Sequence, residues 1–215
     1  SKNFSRISLL NGNIIVAGSG ATDKTLSEFA MNNDIGGFEF LSCIPGTVGG
    51  GIRMNSGCFE NEFKDILISV QAINRSGEVL TIPKKDIKFG YRYCDLAKDL
   101  IFLSASFKGS KKNREEILKD LNNLKSKKEK AQPTRIKTGG STFKNPIKQT
   151  DKKVWQIIKE SVPNNIQFGD AVISDKHANF FINKNNASYK DMKKLIDFVK
   201  KNVKNKTGIN LDLEI

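Results

Sequence analysis

Between Lys111 and Gln132 most residues are charged, and only Ile117, Leu118, Leu121 and Leu124 give an apolar stripe at helical spacing. A stripe that narrow packs one side and leaves the rest in water, so the stretch predicts a long connecting helix. Pro133 stops it, because proline donates no hydrogen bond and clashes with the preceding turn. The chain therefore divides near Gly109 to Asn113, into residues 1–110 and residues 111–215. The pattern of strands and helices around the connector reads as α+β.

In the earlier part, Asn13 to Ala17 reads as a strand that turns at Gly18-Ser19-Gly20. Thr25 to Asn33 has helical spacing, and Asp34 to Phe40 returns towards a short strand. Ile66 to Ile73 and Glu78 to Ile82 are predicted as a hairpin across Asn74-Arg75-Ser76-Gly77. Lys84 to Ile87 suits one helical turn. Ile101 to Lys108 alternates as a half-buried strand, with Ile101, Leu103, Ala105 and Phe107 on one side. In the later part, Val154 to Glu160 is a short helix and Phe180 to Ile182 a strand. Ser188 with Asp191 forms a capping-box pattern that opens a helix to about Lys204, and Gly208 is its stop. Ile209 to Ile215 alternates as a final strand.

Two glycine-rich stretches carry candidate chemistry. In Pro45 to Gly51, main-chain amides next to Gly46, Gly49, Gly50 and Gly51 can approach a pyrophosphate or a flat ring closely. The spacing is neither a Walker loop nor a GxGxxG fingerprint. In Thr138 to Pro146, Gly139 and Gly140 present Ser141 from a tight turn, with Lys144 and Asn145 beside it. A hydroxyl, a cation and an amide suit an anionic, oxygen-rich small molecule. A plain glycine-rich turn leading into a helix has the same composition.

Five stretches together resemble the UDP-N-acetylenolpyruvoylglucosamine reductase family, in that family's order. They are Ile44-Pro45-Gly46-Thr47-Val48-Gly49-Gly50 with Met54-Asn55, Gly90-Tyr91-Arg92, the serine stretch, Ser174 to Asn183, and Leu211 to Ile215. The resemblance implies part of an FAD-binding domain of the vanillyl-alcohol-oxidase (PCMH) type in residues 1–110, and a C-terminal α+β substrate domain in residues 111–215. It implies NADPH-dependent reduction of UDP-N-acetylglucosamine enolpyruvate to UDP-N-acetylmuramate through FAD, for peptidoglycan precursor synthesis. Hydride goes to the methylene carbon, and charge then develops on the adjacent carbon and its carboxylate.

The roles implied are catalytic for Arg92 (carboxylate clamp), Ser141 (general acid) and Glu214 (stabiliser of the enolate-like intermediate). Ile44, Pro45, Gly46, Thr47, Gly49, Gly50 and Asn55 fall in the FAD region, and Tyr91, Lys144, Asn145 and His177 on the substrate side. Read on its own, His177 is a structural hydrogen-bonding residue. Two departures stand out: Cys43 sits where the family usually has glycine, and Glu60 sits near a glycine of its Gly-Ala-Tyr-Gly run. No insertion interrupts the chain between Arg92 and Ser141, so it resembles the shorter type, without the tyrosine loop. The family's chains begin earlier than Ser1 and run past Ile215, which predicts a truncated form that folds but holds FAD weakly and is inactive alone.

The net charge of +13 points to anionic partners. It also motivates a rival reading, a basic nucleic-acid-binding module, although no aromatic platform for stacking bases is present. Another flavin oxidoreductase of the same fold is the second rival. Cys43, Cys58 and Cys94 form no CxxC pair and no metal-type spacing with His177, so free thiols in a reducing cytoplasm and no metal are expected. No apolar run suits a membrane span. The expected form is a cytoplasmic monomer with no nucleic-acid or membrane partner.

Overall fold

A computed structural model describes residues 2–133, 136–163 and 165–214. Two compact units form, Ser1–Lys127 and Lys128–Ile215. This division falls inside the connecting helix, later than the 110/111 boundary read from the sequence.

The first unit is built on a five-stranded antiparallel sheet in the order β1-β2-β10-β6-β7. Its strands are β1 (Ile7–Leu10), β2 (Ile14–Gly18), β6 (Leu67–Ile73), β7 (Val79–Pro83) and β10 (Ile101–Lys108). Between β2 and β6 run α1 (Asp23–Asn32), β3 (Ile35–Gly36), α2 (Val48–Arg53), β4 (Gly57–Cys58), β5 (Asn61–Glu62) and α3 (Phe63–Ile66). The short hairpin β8 (Phe89–Gly90) and β9 (Tyr93–Cys94) precedes β10. The core holds Ile15, Leu26, Phe38, Leu41, Ile52, Phe63 and Phe107, all at most 1% exposed. Phe63 stands edge-on to both Phe40 and Phe107, a favoured aromatic geometry.

The return after α1 is a two-residue strand followed by a 3-10 turn over Glu39–Cys43, not a strand to Phe40. Asp34 and Gly37 both take positive φ, which bends the chain out of extended geometry. The alternation read along β10 also breaks. A register shift between Phe102 and Ser104 turns the strand, so Phe102, Ala105 and Phe107 are buried while Ile101 is 65% exposed.

The chain after β10 stays with the first unit for a physical reason. β11 (Ser110–Lys111) pairs with β3, and Lys112 Nζ lies 3.0 Å from Glu39 Oε1 and 2.5 Å from Asp120 Oδ2. Ile117, on α4 (Arg114–Ala131), is the helix's one buried residue among those described. Leu118 is 41% exposed, so the stripe is narrower than its spacing suggests.

The second unit is a four-stranded antiparallel sheet in the order β12-β15-β14-β13. It comprises β12 (Thr138–Ser141), β13 (Gln167–Phe168), β14 (Ala171–Ile173) and β15 (Phe180–Asn183). The helices α5 (Val154–Ser161) and α6 (Tyr189–Thr207) cover it. Phe143, Ile157, Ile158, Phe181, Leu195, Val199 and Val203 fill the space between. The Ser188–Asp191 capping box is present, and Gly208 closes α6 in the left-handed conformation. The segment after Ile209 is not a strand. It makes one bridge, Leu213 to Phe143, and Ile215 lies outside the described residues. Its partner is the short run Thr142 to Lys144 that follows β12, and Pro146 ends that extended run.

Candidate functional site

The glycine-rich loop of the first unit is held from behind. Val48 N donates to Ala21 O at 2.9 Å and Gly49 N to Ser19 O at 2.9 Å. Thr22 bridges Thr47, which caps α2. Gly51 N donates to Thr47 O, so these amides are engaged by the protein and not free to reach a pyrophosphate, as the sequence suggested. Glycine serves packing here. A Cβ on Gly51 would lie 2.2 Å from the Phe63 ring, and one on Gly49 3.1 Å from Ser19 Cβ. Gly50 differs, since the nearest atom to a Cβ there is Thr47 Oγ1 at 3.6 Å.

What the loop presents outwards is Pro45, Gly46, Thr47 and Gly50, exposed and poor in side-chain bulk, beside half-buried Ile44 and Gly49. Under it, Asp23 is fully buried, with neither carboxyl oxygen hydrogen-bonded. Burial pushes its carboxyl up from 3.8 to about 7. Exposed main chain with little side-chain bulk lets a ligand approach this loop closely.

Asn55 is also fully buried, at φ 41°. Its amide donates to Gly90 O at 3.1 Å and Glu62 Oε2 at 3.0 Å, and its carbonyl accepts from Lys64 N at 3.1 Å. The side chain is thus committed to protein partners. Gly90 pairs with Tyr93, which leaves Tyr91 and Arg92 as the tip of the hairpin. Arg92 takes φ 54°, and its guanidinium lies 5.0 Å from the Tyr91 ring centre. Phe59 and Glu60 also take positive φ, at 50° and 69°. Two successive residues in the left-handed region make a tight turn here, near the glycine expected from the family's run.

In the second unit, the register slips between Thr138 and Ser141, with Gly140 at φ 95°. That bulge aims Ser141, which stays half-buried opposite Phe180. The following residues meet the C-terminal segment. Lys144 N donates to Asp212 O and Glu214 N to Thr142 O, both at 2.9 Å. Ser141, Lys144 and Glu214 are thereby set on adjoining, hydrogen-bonded segments. Asn145 Oδ1 caps α5 by accepting from Val154 N at 2.9 Å.

The sequence reading missed Asn179. It is 2% exposed, receives Phe143 N on its carbonyl at 3.0 Å and donates to Phe143 O at 2.9 Å. Its position inside the matched Ser174–Asn183 stretch was the available signal. His177 Nδ1 accepts from Asn179 N at 3.3 Å, and burial lowers the imidazole's affinity for a proton. Its ring stands edge-on to Phe180 at 4.9 Å and borders a cleft of about 930 Å³ with Trp155 and Lys159. Among the described residues, no group of His, Cys, Asp or Glu could hold a metal ion, and no helix is long and apolar enough to cross a membrane.

Both parts of the chain match domains of a flavin-dependent oxidoreductase family. Residues 1–83 match the FAD-binding domain family, and residues 132–215 match the UDP-N-acetylenolpyruvoylglucosamine reductase C-terminal domain. The reductase of Pelagibacter ubique bearing that name is 65% identical over 100% of this chain and 71% of its own length. That of Rickettsia bellii is 42% identical over 100% of this chain and 70% of its own. The crystal structure of the Thermus caldophilus reductase superposes with a TM-score of 0.79 at 30% identity, covering 93% of this chain and 70% of that one. The chain belongs to the UDP-N-acetylenolpyruvoylglucosamine reductase family.

Proposed function

We propose that this chain catalyses the NADPH-dependent reduction of UDP-N-acetylglucosamine enolpyruvate to UDP-N-acetylmuramate, in peptidoglycan precursor synthesis. FAD, when bound, would supply the hydride, with NADPH as its source. The observation that carries the reading at the residue level is the hydrogen bond from Glu214 N to Thr142 O, next to Ser141, within a chain matching both family domains.

Residues up to about 110 supply the flavin ledge, through Ile44, Pro45, Gly46, Thr47, Gly49 and Gly50, together with Asn55, which is held by Glu62 and Gly90. Residues from 111 onwards supply the substrate half. Arg92 holds the substrate carboxylate with a planar fork, where charge grows during the reaction. Ser141 Oγ–H gives its proton to the carbon next to that carboxylate, and the alkoxide is reprotonated from solvent. Lys144 holds the alkoxide's charge and Glu214 stabilises the intermediate. Tyr91, Asn145 and His177 line the substrate, His177 as a neutral ring. The odd number of cysteines and the lack of a CxxC pair support a reducing cytoplasm. The protein acts there as a monomer with neither nucleic acid nor membrane as partner.

The test mixes the protein with FAD, NADPH and the enolpyruvyl nucleotide-sugar, and follows NADPH consumption. Ser141→Ala is expected to leave flavin reduction intact and slow reoxidation by on the order of 10²–10⁴-fold. Unchanged reoxidation by the nucleotide-sugar would remove Ser141 from its role.

A further inference from the structure

Arg53 closes α2, the helix that begins in the cofactor loop. Its guanidinium donates to three main-chain carbonyls, Leu96 O at 2.8 Å, Ala97 O at 3.1 Å and Leu100 O at 3.1 Å. It also lies 4.3 Å from the centre of the Phe102 ring, a residue only 9% exposed. Those carbonyls belong to the segment that follows the Tyr91–Arg92 hairpin tip. Two residues on from Arg53, Asn55 holds Gly90 O, immediately before that tip. One turn of chain, Arg53 to Asn55, therefore grips the hairpin at both ends. A further bracket lies inside, where Lys88 N donates to Asp95 Oδ1 at 2.8 Å and Asp95 N to Lys88 O at 3.1 Å.

We propose that Arg53 is a positioning residue for Arg92, fixing the carboxylate-binding hairpin to the flavin ledge through the 96–100 carbonyls. This rests on the carboxylate role given to Arg92 above. The chemistry explains why arginine stands here. Three carbonyls spread over five residues need a rigid fork with several donors, and the flat face that stacks on Phe102 is available only to guanidinium. Arg92 sits at positive φ on a two-residue tip, a conformation that persists only when its surroundings over-determine it. Releasing one end of the hairpin lets the cation drift, and a misplacement of about 1 Å costs on the order of 10²-fold in rate.

The test compares Arg53→Met and Arg53→Lys with Arg114→Met, a control at the start of α4. In the flavin-loaded protein, Arg53→Met is expected to leave flavin reduction by NADPH within about twofold. Reoxidation by the enolpyruvyl nucleotide-sugar should fall about tenfold or more, with KM rising more than kcat falls. Arg53→Lys should recover part of this loss and Arg114→Met none of it. Equal effects on both half-reactions, or none on reoxidation, overturn the proposal. If the parent protein consumes no NADPH, the functional reading fails and a separate measurement decides the positioning. The Arg92 Nε–H resonance is titrated with 2-methoxyacrylate, an enol-ether carboxylate, in parent and variant. A Kd at least about fivefold weaker in Arg53→Met supports the proposal. An equal Kd, or no response of that resonance in the parent, overturns it.

Discussion

Asp23 is fully buried, neither of its oxygens has a hydrogen-bond partner, and its carboxyl is pushed up from 3.8 to about 7. It opens α1 beneath the cofactor loop, with its own N–H on Gly46 O at 3.2 Å. A negative charge at a helix N-terminus gains about 0.3–1 kcal/mol from the helix dipole. Burying an unpaired carboxylate costs several times that, so desolvation wins and the neutral acid is the folded form. Below about pH 4 the folded and unfolded chains both carry the proton, and Asp23 makes no pH-dependent contribution. Between there and about 7 the unfolded chain loses it while the folded chain keeps it, so stability falls as pH rises. A shift of about three units corresponds to about 4 kcal/mol at full ionisation. That is an upper bound, because small movements that wet the carboxyl relieve part of it.

Asp23→Asn keeps the shape and cannot ionise. Urea unfolding of parent and variant from about pH 4 to about pH 8.5 reads the difference between them, in which the other carboxylates cancel. The two should agree within about 1 kcal/mol at the acid end, with the variant ahead by about 2–4 kcal/mol at the alkaline end. A difference that stays flat across the range would show that Asp23 is ionised in the folded protein, and the burial argument would fall.

Gly51→Ala drives a Cβ to 2.2 Å from the Phe63 ring, which is wedged between Phe40 and Phe107. Overpacking of this kind costs about 1–3 kcal/mol in chemical denaturation, and a loss under about 0.5 would mean the ring yields freely. Asn179→Ala strips Phe143 N and O of their side-chain partners in a buried site, at about 1–3 kcal/mol for each group left unpaired. A total loss below about 1 kcal/mol would show that Asn179 does not hold the serine strand. Arg92→Gly removes strain at φ 54° and should stabilise the fold by up to about 1 kcal/mol while abolishing reoxidation by the nucleotide-sugar. Retained reoxidation would remove Arg92 from the carboxylate.

Short-range features were legible in the sequence and strand register was not. The capping box at Ser188, the stop at Gly208 and the hairpin between β6 and β7 follow from short-range chemistry, which a sequence displays directly. The face of β10 was misread because a bulge depends on the partner strand, and no residue along β10 announces it. The final segment alternates like a strand but has only the short edge near Phe143 to pair with. For the candidate site the sequence offers Arg92, Ser141 and Glu214 by residue type and resemblance, and their roles are proposals. Its supports were not legible there. Arg53 looks like one more surface cation until three carbonyls converge on it, and Asp23 looks like an ordinary first-turn acid until its burial is known.

The two units solve the same problem with the same device. Each presents a side chain proposed to act in the reaction next to backbone at positive φ: Arg92 at 54° on its own hairpin tip, and Ser141 directly after Gly140 at 95°. A non-glycine residue there stores about 1–3 kcal/mol, and a bulge leaves the ladder incomplete. Each is then fixed by a buried asparagine remote in sequence, Asn55 on Gly90 and Asn179 on Phe143. An amide suits this because it donates and accepts at once and carries no charge to desolvate. Hydrophobic packing could hold the same segments in place, but it is tolerant of sliding, and a group that must meet developing charge is not. The segments that carry Arg92 and Ser141 therefore rest on buried polar contacts, while the bulk of each unit's stability comes from its aromatic and aliphatic core.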